Sequence, residues 1–288
     1  MTQKFASLAA ALVCAALSSP VFATTSASAS LDTFSFTLVD LQFDFNSPSF
    51  GWIADDSQPQ FVITRAENGN FADGEYTVGR SGLFSPVSTS ATLSNGLAHA
   101  NAVVGGDGNF ENYSLNVSGD VTGAADVTNE FGTAAYMDYG LHYALGNFVL
   151  GPQTQVTFNA LSSVSLNADF AAGGYADAGT SLYVTYGDQS FSDGVSACSE
   201  PANPETNPAG CDLVGHELSS SRLLTVSLSN PTNAPIIGRF YAGASAHGVA
   251  MASAVPEPAS YGLFVSGLTV LGLALRRRRG TENSARQI

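Results

Sequence analysis

The sequence predicts an all-β protein with a single β-sandwich domain of jelly-roll-like type. Three observations lead to this fold class. Many short segments alternate apolar and polar residues, turn-forming residues separate them at close spacing, and Gly occurs 29 times in 288 residues. Alternation with a period of two is typical of half-buried strands, and many short strands favour a sandwich. The stretch 95–103 is the one short candidate for a helix.

Strand-like alternation begins after Leu31 and recurs along the chain. Phe34, Phe36 and Leu38 alternate with polar residues, and the pattern resumes at Leu41 after Val39-Asp40, where we expect a β-bulge. The aromatic stretch 50–53 is expected to cap the core. Further strands are predicted at 61–64, 75–78, 113–117, 134–139, 153–158, 163–170, 178–186, 224–228 and 240–247.

The N-terminal 23 residues are typical of a secretory signal peptide. Lys4 precedes an apolar stretch at 5–17, and Ala23 ends a small-residue cleavage site. A membrane anchor is the alternative, but the apolar stretch is shorter than the about 20 residues that a spanning helix needs. We therefore expect this order: signal peptide 1–23, flexible lead-in 24–30, sandwich domain 31–253, C-terminal signal 254–279 and tail 280–288.

The sandwich domain is strongly acidic. Between residues 24 and 258 the chain has four Arg, no Lys and 23 acidic residues, a net charge of −19. Binding to nucleic acid is excluded as a function, because it requires clustered Lys and Arg. The acidic excess is interpreted as a source of solubility, with binding of divalent cations as the alternative. No cofactor is predicted.

Two cysteines remain once Cys14 leaves with the signal peptide. An even pair in an exported protein predicts a disulfide between Cys198 and Cys211. The residues between them, 199–210, are rich in Pro, Asn and Gly and are predicted to form a loop. A metal site is the alternative, although two thiols without a second pair make a poor zinc site.

The domain lacks the motifs of the common enzyme classes. Gly-x-Ser-x-Gly is absent, and His216-Glu217 lacks the second His that a zinc protease needs at position 220. The best cation-like stretch has Asp107, Asn109 and Glu111 at the spacing of the first ligands of an EF-hand loop. Its later positions do not fit that loop, so we predict a hairpin turn without a metal. No catalytic residue is predicted.

The C-terminal stretch combines three features in a fixed order. A turn-forming motif is followed by seventeen uncharged residues at 259–275, about 26 Å as a helix, and then by four Arg. An apolar run next to a basic cluster predicts a transmembrane helix with its C-terminus in the cytoplasm. A buried core helix and a glycolipid-anchor signal are the alternatives. The motif is Val255, Pro256, Glu257 and Pro258, and the basic cluster is Arg276, Arg277, Arg278 and Arg279.

These three features resemble the PEP-CTERM sorting signal of exported proteins in Gram-negative bacteria. The resemblance covers about 25 residues and implies that an exosortase, a membrane transpeptidase-like enzyme, recognises Pro256, Glu257 and Pro258. The helix and the Arg cluster would hold the chain at the inner membrane until it is processed. The resemblance also implies an association with exopolysaccharide and biofilm systems. Under this interpretation the protein is the substrate of the processing reaction.

The leading functional prediction is an exported, non-enzymatic protein of the cell surface or extracellular matrix. The first alternative is a carbohydrate-binding or adhesive module that uses aromatic side chains as sugar platforms. Its candidate residues are Trp52, Tyr136, Tyr139 and Tyr143. The second alternative is a secreted hydrolase, which needs a converging Ser-His-Asp set or a suitably spaced pair of carboxylates.

Overall fold

The computed structural model describes Leu268 and residues 24–251, except 43–46, 54–59, 69–73, 83, 125–126, 138–146, 170–172 and 200–210. The described residues up to 251 belong to one compact unit that spans Phe22–Ser253. The predicted signal peptide lies outside the described residues. So does the predicted C-terminal helix, apart from Leu268, which is helical.

The described residues form fifteen strands and a short 3-10 helix, Phe110–Asn112. The strands in chain order are β1 Thr24–Asp40, β2 Phe50–Trp52, β3 Gln60–Asn68, β4 Gly74–Ser81, β5 Val87–Thr92, β6 Ala98–Gly105, β7 Ser114–Thr122, β8 Asn129–Met137, β9 Phe148–Leu150, β10 Thr154–Ala168, β11 Gly174–Tyr186, β12 Gln189–Cys198, β13 Leu213–Val214, β14 Glu217–Asn230 and β15 Ile236–Ala250.

The strands form two sheets that enclose the core. The six-stranded sheet has the order β14-β10-β1-β7-β6-β5. The nine-stranded sheet has the order β13-β12-β11-β15-β8-β3-β4, and β9 links β2 to the beginning of β15. Neighbouring strands are antiparallel, with β12 and β13 as the parallel pair among those described. The structure confirms the all-β sandwich class.

The core forms because alternate residues of both sheets point inward. In β15, Phe240, Ala242, Ala244 and Ala246 are buried, as the alternation predicted, while their neighbours in the strand point outward. Aromatic rings fill the end of the sandwich where β2, β9 and the 3-10 helix meet. Rings in this cluster contact one another edge to face or tilted, the arrangements that aromatic pairs favour. Its members are Phe36, Phe50, Trp52, Phe84, Phe110, Phe148, Phe158 and Phe240.

The prediction of a flexible lead-in at 24–30 is wrong. These residues form the first half of β1, paired with β10 on one side and β7 on the other. Thr25, Ala27 and Ala29 are buried. The segment contains only Thr, Ser and Ala, which give little hydrophobic contrast, but small inward-facing residues pack well between two facing sheets.

The bulge in β1 lies earlier than predicted. The register with β10 shifts between Asp32 and Ser35, whereas Val39 and Asp40 pair regularly with Gln155 and Thr154. Thr33 has a φ of 55°, so the backbone irregularity is local to this position. The extra residue keeps Phe34 buried, because inward and outward positions exchange across a bulge.

Several predicted segments prove to be parts of longer strands. The stretches 153–158 and 163–170 both fall largely in β10, which runs without interruption through the polar residues between them. The helix candidate at 95–103 is a turn followed by β6, in which Ala98, Ala100 and Ala102 are buried at every second position. Alternating Ala is a weak strand signal, because Ala also has a high helix propensity.

Candidate functional site

A row of charged side chains crosses the outer face of the nine-stranded sheet. Asp177 on β11 pairs directly with His247 on β15, and Glu130 and Arg65 follow on β8 and β3. His247 Nδ1 lies 3.0 Å from Asp177 Oδ2, and its Nε2 lies 3.0 Å from Glu130 Oε1. Arg65 donates to the same oxygen of Glu130 and lies 3.4 Å from Glu67. We call these five residues the charge ladder.

Contacts within the ladder shift the pKa values of His247 and Glu130 so that each side chain favours its charged form. Partial burial lowers the pKa of His247, but hydrogen bonds and charges from Asp177 and Glu130 outweigh that effect and raise the pKa from 6.5 to about 9. The hydrogen bond to His247 is the largest influence that lowers the pKa of Glu130. His247 is therefore a cation at neutral pH and carries one proton on each ring nitrogen.

An imidazolium that donates a hydrogen bond from each ring nitrogen stabilises the sheet and, held in this way, has no nitrogen to accept a proton. A catalytic base must offer a free nitrogen to the proton that it removes, and both nitrogens of His247 are held by carboxylates. Within the described chain, no Ser, Thr or Cys side chain hydrogen-bonds to His247. The ladder thus links four neighbouring strands by alternating charges.

A shallow trough lies beside the ladder on the same face. Its volume is about 350 Å³, and small residues of β15, β11 and β12 form its floor. Gly243 pairs with Tyr136 on β8 and with Ser181 on β11, and Ser181 pairs with Gly194 on β12. The trough therefore crosses four strands, about 14 Å at the usual spacing between strands.

Tyr136 forms one end of the trough, and Tyr241 on β15 packs beside it. The rings of Tyr136 and Tyr241 are stacked, with centroids 5.9 Å apart and planes at 30°. A Cβ atom at Gly243 would lie 2.7 Å from Tyr241 Oη and 3.0 Å from Tyr136 Cδ1. Because position 243 has no side chain, both rings can lie across it.

The opposite end of the trough is polar. Asp212 Oδ2 accepts hydrogen bonds from the backbone N and the Oγ of Ser196, at 2.8 Å and 3.0 Å. The Oδ1 atom of Asp212 and the hydroxyls of Ser181 and Ser245 have no hydrogen-bond partner among the described residues. Within the described part of the chain, these atoms are available to a ligand or to water.

The outer face of the six-stranded sheet carries a regular array of short polar side chains. Two grooves of about 440 and 290 Å³ cross it. Adjacent rows of the array contain His99 and Asp120 on one side and Asn116 on the other. The array is evenly spaced and solvated, and it lacks the aromatic rings of the opposite face. The row between the grooves consists of Ser90, Asn101, Ser118, Ser28, Ser165 and Ser219.

The cation-like stretch forms the predicted connection of a hairpin, between β6 and β7. Asp107 Oδ1 accepts from the backbone N of Asn109, and its Oδ2 accepts from Asn112 Nδ2 at 2.8 Å. The Asn112 hydrogen bond is the largest influence that lowers the pKa of Asp107. Glu111 lies in the 3-10 helix and is exposed. In the part of the chain that the structure describes, no three His, Cys, Asp or Glu side chains are arranged to hold a metal ion.

The predicted sugar platforms are distributed over different regions. Trp52 is half-buried in the aromatic cluster, with six Phe rings at centroid distances of 5.0 to 6.2 Å. It caps the core, as expected for the stretch 50–53. Tyr136 lies at the trough, and Tyr139 and Tyr143 lie outside the described residues. His99 Nδ1 is 3.3 Å from Thr92 Oγ1, an exposed contact away from the ladder.

The predicted disulfide between Cys198 and Cys211 is confirmed. Their Cα atoms are 5.9 Å apart, within the usual range for a disulfide. Cys198 ends β12, and the bond holds the stretch that leads to β13 against it. The loop predicted at 199–210 stays a prediction, because residues 200–210 lie outside the described residues. Ser199, the first residue of this stretch, is buried.

The three-part C-terminal segment agrees with a known family. A family profile described as the PEP-CTERM protein-sorting motif matches residues 254–279. The chain carries a PEP-CTERM sorting motif. This motif marks a protein that is exported and sorted to the cell exterior by an exosortase, in a membrane-associated process. Neither a curated protein nor a solved structure matches the chain.

The PEP-CTERM motif itself lies outside the described residues, as do Ala23 and the Arg cluster at 276–279. Among the residues that the structure describes, none belongs to a helix long and apolar enough to cross a membrane. The predicted transmembrane helix and signal cleavage site therefore stay predictions.

The charge ladder was not predicted from the sequence. Arg65, Glu130, Asp177 and His247 are scattered over 183 positions of the chain. Alternation does place His247 on the outward face of its strand, which is the one local signal. Which outward residues of other strands stand beside it depends on the pairing and register of the sheet.

Proposed function

We propose that this protein is a non-enzymatic component of the cell surface or extracellular matrix. The match of residues 254–279 to the PEP-CTERM sorting motif is the observation that carries the proposal. In this proposal the signal peptide starts export, the C-terminal helix holds the chain in the inner membrane, and the exosortase releases the sandwich domain. We also propose that the strands of the sandwich are connected in a jelly-roll-like topology.

The arrangement of the sandwich domain supports a non-enzymatic role. In the ladder, both ring nitrogens of His247 are bonded to carboxylates, so this histidine has no free nitrogen for proton transfer. The acidic surface and the polar array favour solubility and a hydrated environment. A role at the surface or in an exopolysaccharide matrix needs no catalytic group.

The sorting role is tested by changing the motif in the full chain. Pro256, Glu257 and Pro258 are replaced by Ala, and the protein is expressed in a bacterium with and without an exosortase. We expect the native chain to lose mass at its C-terminus and to leave the membrane fraction only when the exosortase is present. The altered chain should keep its full C-terminus and stay in the membrane fraction.

A matched control replaces Glu282, which lies beyond the Arg cluster, with Ala. This variant should be processed like the native chain, as measured by mass spectrometry and cell fractionation. Equal processing of the motif variant, or processing of the native chain without the exosortase, would contradict the proposed route.

A further inference from the structure

We propose that the trough beside Tyr136 and Tyr241 binds an uncharged glycan chain. This inference goes beyond sorting, because it assigns a ligand to the outer face of the nine-stranded sheet. The three properties that carry it are an aromatic end, an open floor of small residues and a polar end. Together they span four strands.

The aromatic end suits the apolar face of a sugar ring. A pyranose presents C–H groups on its faces and hydroxyls around its edge, so it stacks on an aromatic ring while its edge forms hydrogen bonds. Tyr136 and Tyr241 lie across Gly243, and both are half-buried, which leaves part of each side chain accessible above the sheet. The register partner of Tyr241 on β11 is Tyr183, which extends the aromatic surface by one strand.

The floor and the polar end suit the edge of a sugar. Gly179, Gly194 and Gly243 keep the floor low, so that a ring of the ligand can lie close to the sheet. Ser181 and Ser245 each offer a hydroxyl, and Asp212 offers a carboxylate oxygen. Small polar groups placed around an open cleft are the usual means of orienting a ligand.

The negative charge of the domain favours uncharged glycans over acidic ones. The body carries a net charge of −19, and Asp212 lies at the trough itself. Arg65 and His247 on the same face are already paired with carboxylates in the ladder, and Arg222, which bonds to the carbonyl of Gly194, is paired with Asp193. An acidic polysaccharide would be repelled, so the ligand is an uncharged one.

Other classes of ligand fit the trough less well. An extended peptide binds a sheet by adding a strand at an edge, whereas the trough runs across the strands, and three of its four strands, β8, β15 and β11, have backbones that are already paired on both sides. Nucleic acid is excluded by charge. A row of sugar units can cross the strands, because it binds through side chains rather than through the backbone.

Binding is measured on the full chain, purified in a mild detergent, by isothermal titration calorimetry. The probes are three neutral hexasaccharides, a β-1,4-glucan, a β-1,3-glucan and a β-1,4-mannan, with hexagalacturonate as the acidic comparison. We expect saturable binding of at least one neutral probe and much weaker binding of the acidic one. Failure to bind any neutral probe, or equal binding of the acidic probe, overturns the proposal.

Variants locate the binding site. Tyr136→Ala should weaken binding by about tenfold, the effect of losing one aromatic stacking contact, and Tyr136→Phe should preserve it because the ring remains. Gly243→Val should weaken binding by displacing both rings. Tyr186→Ala, at the hairpin end of β11, is the matched control and should leave binding unchanged.

The thermal unfolding of each variant is recorded to show that it is folded. If folded Tyr136→Ala binds like the native chain, or if Tyr186→Ala loses binding equally, the trough is not the site. The tests of sorting and of glycan binding can fail independently, because the titration uses purified protein and involves neither export nor processing.

Discussion

Gly119 and Gly248 lie against opposite edges of the Phe131 ring. Gly248 is the register partner of Phe131 within the nine-stranded sheet, and Gly119 lies on β7 in the facing sheet. A methyl group at either glycine would overlap the fully buried ring. Phe131 thus fills the space that the two glycines leave and couples the two sheets at one point.

We expect Gly119→Ala to lower the free energy of unfolding by about 1–3 kcal/mol, because the added methyl overpacks a tightly packed region. The double variant with Phe131→Leu should recover part of this loss, since it removes the atoms that clash. Urea denaturation monitored by circular dichroism measures both. Gly51→Ala, with no atom within 4 Å of the new Cβ, should change the stability by less than about 0.5 kcal/mol.

His247 makes the stability depend on pH. Its folded pKa of about 9 lies above the ordinary 6.5, so its stabilising contribution is complete below pH 6.5 and is lost as the pH rises through 9. Glu130 has a lowered pKa, so its contribution is complete above the ordinary 4.5 and is lost as the pH falls. Both contributions are complete between pH 4.5 and pH 6.5, so the ladder stabilises the fold most in this range.

The free energy of unfolding should fall by about 1–2 kcal/mol between pH 6.5 and 9.5. The pKa shift corresponds to roughly 3 kcal/mol, and solvent screening reduces this because about a third of the side chain is exposed. Urea denaturation across this pH range measures the effect. His247→Gln should flatten the profile, and His99→Gln should leave it unchanged. A native profile that is already flat would contradict the assignment.

At the scale of elements, side-chain hydrogen bonds connect the edges of the two sheets. Asp193 on β12 accepts from Arg222 and from the backbone N of Thr225 on β14, each at 2.8 Å. β14 is the edge strand of its sheet. Unpaired N–H groups on an edge strand attract the strands of other molecules. Asp193 Oδ2 accepts a hydrogen bond from one such group, the backbone N–H of Thr225.

Asp193→Ala should lower the free energy of unfolding by about 1–3 kcal/mol, because Thr225 and Arg222 lose their acceptor. The variant should also self-associate more than the native chain at equal concentration. Urea denaturation and analytical ultracentrifugation measure the two effects. Asp188→Ala, in the neighbouring exposed turn, is the control. Equal behaviour of the two variants would show that Asp193 does not protect the edge.

The strands themselves could be predicted only in part. Alternation of large apolar and polar residues located most of β10 and of β11, because these residues differ strongly in hydrophobicity. The first half of β1 and the strand β6 were missed or misread, since Ala, Ser and Thr give a weak contrast. Their burial depends on how closely the second sheet approaches, which local sequence does not report.

At the scale of the whole molecule, the chain combines a compact sandwich with a C-terminal sorting motif. Strands distant in sequence become neighbours, as in the pairing of β1 with β10 and of β8 with β15. The consequence is that functional surfaces are assembled from residues far apart along the chain. The trough combines Tyr136, Ser181, Asp212 and Gly243 in this way.

The sequence by itself determined the all-β class, the Cys198–Cys211 disulfide and the C-terminal sorting motif. Each depends on a local pattern: alternation along a strand, two cysteines flanking one loop, and a contiguous motif. The tertiary structure decided that His247 lies between two carboxylates and that Tyr136, stacked on Tyr241, forms the end of a trough. Both depend on strand order and register, which are set by packing between distant segments and which no single segment encodes.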